Sequence, residues 1–379
     1  MNPSKIYIIA GEASGDFLGA NAMKALKAQH PNAEFFGIGG ALMMEQGLKP
    51  LFPMEELSLM GVFEIAPKLF SILKRIRQTV DHIEEVKPDI LLTIDAPDFS
   101  FRVQKAIRKR SKIKPKQLHY VAPTVWAWRP KRAQKISQFL DGLICLFDFE
   151  PPYFEKYGLK SIAAGHPMME EYEQIIKLPD EKKSASETKK LCVLFGSRHG
   201  EIKRVGPTLV EALKVVIQKH DSIELYIPTL PKLEEEVRAL TEVFSTPVHI
   251  STDPNKKWDV FSNCDAAMAV SGTVALELSV ANLPHVIAYK MSPLTWVFLK
   301  RILTTKYAHL GNIILDKPSI PEFIQENCDP GKIARETLTL LDDELARQSQ
   351  RESFEDIRQN LGEGFKPSQR AAEFISFFL

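Results

Sequence analysis

The 379-residue chain has only four cysteines, Cys145, Cys192, Cys264 and Cys328, and none stands in a CxxC spacing. A disulfide framework or a thiolate zinc site needs such clustering, so neither is expected, and a reducing compartment fits. No apolar run approaches the roughly 20 residues that cross a bilayer. The amino-terminal MNPSKIYIIAGEASGD lacks the charged start, long apolar stretch and small-residue cleavage site of a secretory signal. A soluble or peripheral protein is expected. A charge excess is missing too: 49 Lys and Arg face 48 Asp and Glu, a formal net charge of +1, which gives no reason to expect nucleic acid as a partner. There is no GxxxxGK[ST] loop, and no GxGxxG follows the first strand-like run, where Gly37-Ile38-Gly39-Gly40 reads as a turn. Those two absences disfavour P-loop hydrolysis and a nicotinamide cofactor.

What the chain does have is alternation. Short β-branched runs at Lys5–Ala10, Phe35–Ile38, Asp89–Ile94, Gln117–Val121, Gly142–Leu146 and Ser161–Ala164 predict strands in the first half. Leu191–Leu194, Glu224–Ile227, Val248–Ile250, Ala266–Val270 and His285–Ala288 predict them in the second. Amphipathic stretches such as Asp16–Ala28 and Pro207–Lys219 separate them, which predicts an α/β fold of parallel sheets covered by helices. The polar segment 178–190 reads as a linker. The expected organisation is therefore two facing Rossmann-like domains, 1–177 and 191–330, with carboxy-terminal helices over 331–379 packing on either one.

Open parallel sheets bind ligands at the carboxyl ends of their strands. The unusual clusters of this chain fall there: Gly11–Asp16, Asp95–Phe99, Ala122–Arg129, Phe195–Arg198 and Ser271–Thr273. Two such sets looking into one cleft predict a site with one reactant per domain. Ser271-Gly272-Thr273 is a strand-to-helix turn whose N–H groups and dipole suit a diphosphate, with Glu277 one turn on for ribose hydroxyls; a simply capped helix is the alternative. Arg198, after Gly196-Ser197, suits phosphate oxygens. Asp98 suits the cap of the next helix, whereas Asp95 is better placed to face a ligand. Trp126, Trp128 and Arg129 read either as an acceptor site for an acylated sugar phosphate or as core and solvated surface. His119 and His166 read as structural. The stretch Met54–Val80 mixes apolar residues, Met60 and Phe63 among them, with Lys68, Lys74, Arg75 and Arg77. It reads equally as core or as a surface for anionic lipid.

At these residues the chain resembles the lipid-A-disaccharide synthase family. The matching pieces are GEASGD at Gly11–Asp16, Met60-Gly61, IDAPDF at Ile94–Phe99 and HYVAPTVWAWRPKR at His119–Arg132. They continue through FEPPYFEKYG at Phe149–Gly158, GHP at Gly165–Pro167, GSR at Gly196–Arg198, SGTVALE at Ser271–Glu277 and PEFIQ at Pro321–Gln325. The resemblance implies a two-Rossmann-domain (GT-B type) inverting glycosyltransferase. It implies transfer from UDP-2,3-diacylglucosamine to the 6-hydroxyl of 2,3-diacylglucosamine 1-phosphate, giving the β-1,6 disaccharide and UDP. It further implies Asp95 as general base, Arg198 and Glu277 on the nucleotide, and Asn312 serving the active site, with Ser14 and Asp16 in support. No metal or other cofactor is expected, the place of work is the cytoplasmic face of the inner membrane, and a homodimer is left open. Two departures stand out: Phe195 where the family usually has Pro, and Leu310-Gly311-Asn312 where it usually has LPN.

Overall fold

A computed structural model describes residues 3–58, 65–110, 112–175, 188–220, 222–292, 296–297 and 300–379. The chain forms two compact units, Met1–Pro167 with Gly364–Leu379, and Met168–Glu363. The first holds a seven-stranded parallel sheet in the order β3-β2-β1-β4-β5-β6-β7. Its strands are β1 Lys5–Ala10, β2 Glu34–Ile38, β3 Lys49–Pro50, β4 Ile90–Ile94, β5 Lys116–Tyr120, β6 Gly142–Cys145 and β7 Lys160–Ala163. The second holds a six-stranded parallel sheet in the order β10-β9-β8-β11-β12-β13. Here β8 is Lys189–Leu194, β9 Ile223–Pro228, β10 Val248–Ser251, β11 Ala266–Val270, β12 His285–Tyr289 and β13 Glu322–Ile324.

Both central strands are apolar on both faces because helices cover both. Ile6, Tyr7, Ile8 and Ile9 are fully buried, as are Ala266, Ala267, Met268 and Ala269. In each sheet the order reverses beside the first strand of the unit. β1 pairs with β4, Ala10 opposite Ile94, and β8 pairs with β11, Leu194 opposite Ala269. Such reversal points are where doubly wound sheets open a ligand crevice.

The expected strands are all present, with ends shifted by a residue or two. Two short edge strands, β3 and β13, were not expected: two and three residues carry too little alternation to read. The helix read from Pro207 starts at His199 and runs through that proline to Lys219. Asp98 lies in the first turn of the helix Pro97–Arg110 rather than before it, because Pro97 takes the opening position. The unit boundaries also differ from those expected. Residues 168–175 belong with the second sheet, Lys189 and Lys190 are already strand, and the final helix returns to the first unit. That helix, Pro367–Ser376, packs along the helix Ala13–Gln29. Ala371, Ala372 and Ile375 join the first core, and the Ser376 hydroxyl bonds the His30 ring at 2.9 Å and the Gln29 amide oxygen at 2.8 Å. The helices Pro330–Asp342 and Glu344–Asn360 stay with the second unit.

Of the Met54–Val80 stretch, Met54, Leu57 and Val80 are core, while Leu73 is 47% exposed. Met60 and Phe63 lie outside the described residues.

Candidate functional site

At the first reversal point two loops press together. Gly11, after β1, leaves room for Ala96, after β4: a Cβ on Gly11 would stand 2.9 Å from the Ala96 Cβ. Asp95 and Ala96 are consecutive non-glycine residues in the left-handed region, with φ 51° and 43°. Each such residue costs about 1–3 kcal/mol and persists only where its surroundings hold it. Here the holding groups are visible. The Asp95 N–H donates to the Tyr120 carbonyl at 3.0 Å, and the Ser100 hydroxyl donates to the Asp95 carbonyl at 3.0 Å. The Asp95 carboxylate takes no hydrogen bond from any described residue, and the residue is half-buried. Ser14, in the first turn of the helix Ala13–Gln29, is exposed nearby in sequence. Asp16 is different. It is buried and fully committed to backbone, accepting from Gly40 (2.8 Å), Leu42 (3.1 Å) and Met43 (3.0 Å) at the start of the helix Ala41–Glu45. Its carboxylate holds the Gly40–Met43 turn.

The loop after β5 begins with another left-handed residue, Val121 (φ 76°), and carries Trp126 and Trp128, both half-buried. The Trp128 indole donates to the Thr124 hydroxyl at 3.1 Å, and the Arg129 guanidinium lies 4.2 Å over its ring. The Trp126 indole donates to the buried Glu150 carboxylate at 3.1 Å. Burial pushes Glu150 up to about 7, against the pull of its bonds to Trp126, Phe147 and Leu146. His119 is structural as expected: fully buried, bonded through Nδ1 to Thr93 at 2.7 Å, and pushed down to about 3 by burial and by Arg132. His166 stacks on Phe147, and burial lowers it to about 4.

At the second reversal point the loops after β8 and β11 are open. Gly196 (φ 113°) turns the chain over Glu201: a Cβ there would stand 2.9 Å from the Glu201 carboxylate. Glu201, itself 7% exposed, accepts from the Ser197 N–H at 3.0 Å and from Arg198 at 3.0 Å. Ser197 and Arg198 are exposed, and the helix His199–Lys219 starts without a side-chain cap. Phe195 is buried in the core, so its replacement of the usual proline points away from the loop surface. Ser271 is half-exposed, and Gly272 and Thr273 are exposed, at the start of the uncapped helix Thr273–Val280. A Cβ on Gly272 would meet nothing within 4 Å, leaving backbone open to a ligand. Glu277 is ion-paired to Lys257 at 2.8 Å.

Asn312 is fully buried and already engaged: its amide donates to the Ile320 carbonyl (2.8 Å) and Glu322 (2.7 Å), and its oxygen accepts from Ile320 N–H (2.9 Å). Glu322 also accepts from the Ala308 and His309 N–H groups, and the Ser271 hydroxyl approaches the Ala308 carbonyl at 3.4 Å. Asn312 thus supports the Ser271 turn through the backbone. Glu150, Glu201 and Glu322 were all missed from the sequence. None carries a local signal: Glu201 lies three residues after Arg198, where a capping box needs Ser or Thr.

A family model described as lipid-A-disaccharide synthetase matches residues 6–375. A lipid-A-disaccharide synthase from Rhodospirillum centenum is 41% identical, covering 99% of this chain and 94% of the relative. One from Paramagnetospirillum magneticum is 39% identical, covering 99% and 97%. Among solved structures, a UDP-N-acetylglucosamine 2-epimerase described as putative, from Listeria monocytogenes, superposes with a TM-score of 0.67 at 14% identity, covering 100% and 97% of the two chains. MurG of Acinetobacter baumannii gives 0.60 at 13%, covering 99% and 100%. These likenesses establish the GT-B fold.

Proposed function

The chain belongs to the lipid-A-disaccharide synthetase family, and on that premise we propose that Asp95 is its general base and that Arg198, the Ser271–Thr273 turn and Glu277 hold the UDP of its donor. It is a glycosyltransferase using UDP-sugar and lipid-A precursor substrates. In the proposed reaction the 6-hydroxyl oxygen of 2,3-diacylglucosamine 1-phosphate attacks the anomeric carbon of UDP-2,3-diacylglucosamine. As that C–O bond forms, the bond to the phosphate oxygen breaks and UDP leaves with the electron pair. The hydroxyl proton passes to the Asp95 carboxylate, and the anomeric configuration inverts.

One observation supports the base most directly. Asp95 carries a carboxylate that no described residue hydrogen-bonds, on a strained backbone held from both sides, while Asp16 in the neighbouring loop is spent on three N–H groups. On the donor side, uncapped helix starts and an exposed guanidinium suit the developing charge of a leaving diphosphate. Trp126, Trp128 and Arg129 serve the acceptor in this reading. The test is UDP release with each lipid alone and with both: release equally fast without the acceptor would sink the transferase mechanism.

Membrane contact on the cytoplasmic face belongs to the same proposal. No described helix is long and apolar enough to cross a bilayer, and the helix Ile65–Val86 exposes Leu73, Lys74 and Arg77 together. Vesicles containing anionic lipid should sediment the protein less well when salt is raised or when these three are replaced by Ser.

A further inference from the structure

The Glu150 carboxylate is used by neither the proposed proton transfer nor the UDP site, yet it is 2% exposed and three donors converge on it. One oxygen accepts from the Leu146 and Phe147 N–H groups, at 3.0 and 3.1 Å, in the loop that follows β6. Those two bonds close a local turn, which the Glu150 N–H completes by donating to the Phe147 carbonyl at 3.1 Å. The other oxygen reaches out of that turn to the Trp126 indole N–H, on the loop that follows β5. The indole also stands edge-on to Phe149 at 5.4 Å, Phe149 stacks on Phe147 at 5.6 Å, and Phe147 stacks on His166 at 6.1 Å. The half-buried indole thus joins a row of rings along the carboxyl end of the first sheet, with its N–H donated to the Glu150 carboxylate.

We infer that Glu150 is a positioning residue for the acceptor, setting the Trp126 ring by locking the loop after β5 to the loop after β6. This rests on the acceptor placement of Trp126 proposed above. A local turn needs only the two backbone donors, so the bond to Trp126 is the part with no purpose in the turn itself. An ionised carboxylate also makes that bond about twice as strong as a neutral acceptor would. The titratable neighbour is the Cys145 thiol at the end of β6, pushed up by burial and by the Glu150 and Glu155 carboxylates.

The experiment is steady-state kinetics on the full chain, varying the lipid acceptor and the UDP-linked donor separately. Glu150→Gln keeps an oxygen for the backbone donors but presents an NH2 group to the indole. Trp126→Phe keeps a ring and removes the indole N–H. Each should raise the acceptor KM about 10-fold, with donor KM and kcat within about 2-fold, and the double variant should be no worse than the single ones. The ratio of acceptor KM between Glu150→Gln and wild type should be larger at pH 8 than at pH 6, since the wild-type carboxylate is more ionised at pH 8. Comparing ratios cancels titration of the acceptor phosphate. An unchanged acceptor KM in Glu150→Gln, or equal rises for donor and acceptor, overturns the inference; so do multiplicative effects in the double variant. Trp126→Ala separates the two levels: if it leaves the acceptor KM unchanged, the acceptor placement itself falls. If Glu150→Gln fails to fold, the decision rests on Trp126→Phe, where an unchanged acceptor KM removes the bond's role.

Discussion

The two sheet ends are built from the same topology and differ in how strained and how exposed their loops are. In the first unit, Asp16 and Glu150 are buried and each gathers three hydrogen bonds, Asp16 on the Gly40–Met43 turn and Glu150 between the loops after β5 and β6, and the loops after β4 and β5 carry left-handed residues at Asp95, Ala96 and Val121. In the second unit the loops are less strained and more open. Arg198 and Gly272 face solvent there. The difference matches the chemistry proposed for each side. A base must be held within hydrogen-bond reach of one particular proton, so rigidity is favoured there. A diphosphate is bound by an array of N–H groups and charge, so what matters is that those groups are left unpaired. The largest test of the contrast is Asp95→Asn, which preserves shape and removes the basic carboxylate. Turnover should fall ~10²–10⁴-fold with UDP affinity and melting temperature nearly unchanged. Asp98→Asn is the control: it lies in the first turn of its helix and lowers stability modestly through the dipole, by roughly 0.3–1 kcal/mol. Near-normal turnover in Asp95→Asn, with a collapse only in Asp98→Asn, would move the base three residues along the loop.

The architecture was legible because short β-branched runs alternating with amphipathic stretches leave few alternatives to parallel sheets. Candidate loops were legible because parallel sheets concentrate ligands at strand ends, and both reversal points carry motifs read from sequence. What escaped reading depended on contacts distant in the chain. Asp16 looks like a ligand-facing acid beside a glycine, yet its three partners lie 24 to 27 residues away, on a turn that no local pattern ties to it. Asn312 is similar, since its partners are Ile320, in an irregular segment, and Glu322, in an edge strand too short to recognise. Glu150 carries no local signal of its role, since only the fold brings Trp126 to it.

On the open side, Glu277→Ala should weaken UDP binding by roughly 1.5–3 kcal/mol, because a charged acceptor for ribose hydroxyls is lost. The ion pair with Lys257 sharpens this: Lys257→Ala, which leaves the carboxylate in place, should weaken UDP binding less than Glu277→Ala does. Calorimetry giving the reverse order would reassign Glu277 to structure. Arg198→Ala should have a smaller effect, about 10-fold in donor KM, since the guanidinium is largely exposed and water screens it. If Glu201→Gln reproduces most of that loss, the Glu201 carboxylate aims the arginine; if it does not, Arg198 finds the phosphate unaided.

The smallest expected effect concerns the closed side and is read as stability against pH. Glu150 is pushed up from 4.5 to about 7 in the folded chain, chiefly by burial. Between those values the folded state holds a proton that the unfolded state has released, so stability falls as pH rises through that window and levels off above the folded value. From pH 6 to pH 8 the loss from this one group is roughly 1 kcal/mol, or about 2–4 °C in the melting of a unit this size. Glu150→Gln cannot titrate, so its melting temperature should gain on that of wild type as pH goes from 6 to 8. Other groups shift both proteins alike and cancel in the comparison. Thermal melts at the two pH values decide it. A difference between the proteins that stays constant would mean that burial does not raise the Glu150 carboxyl, because water reaches it or because its bonds to Leu146, Phe147 and Trp126 offset the burial.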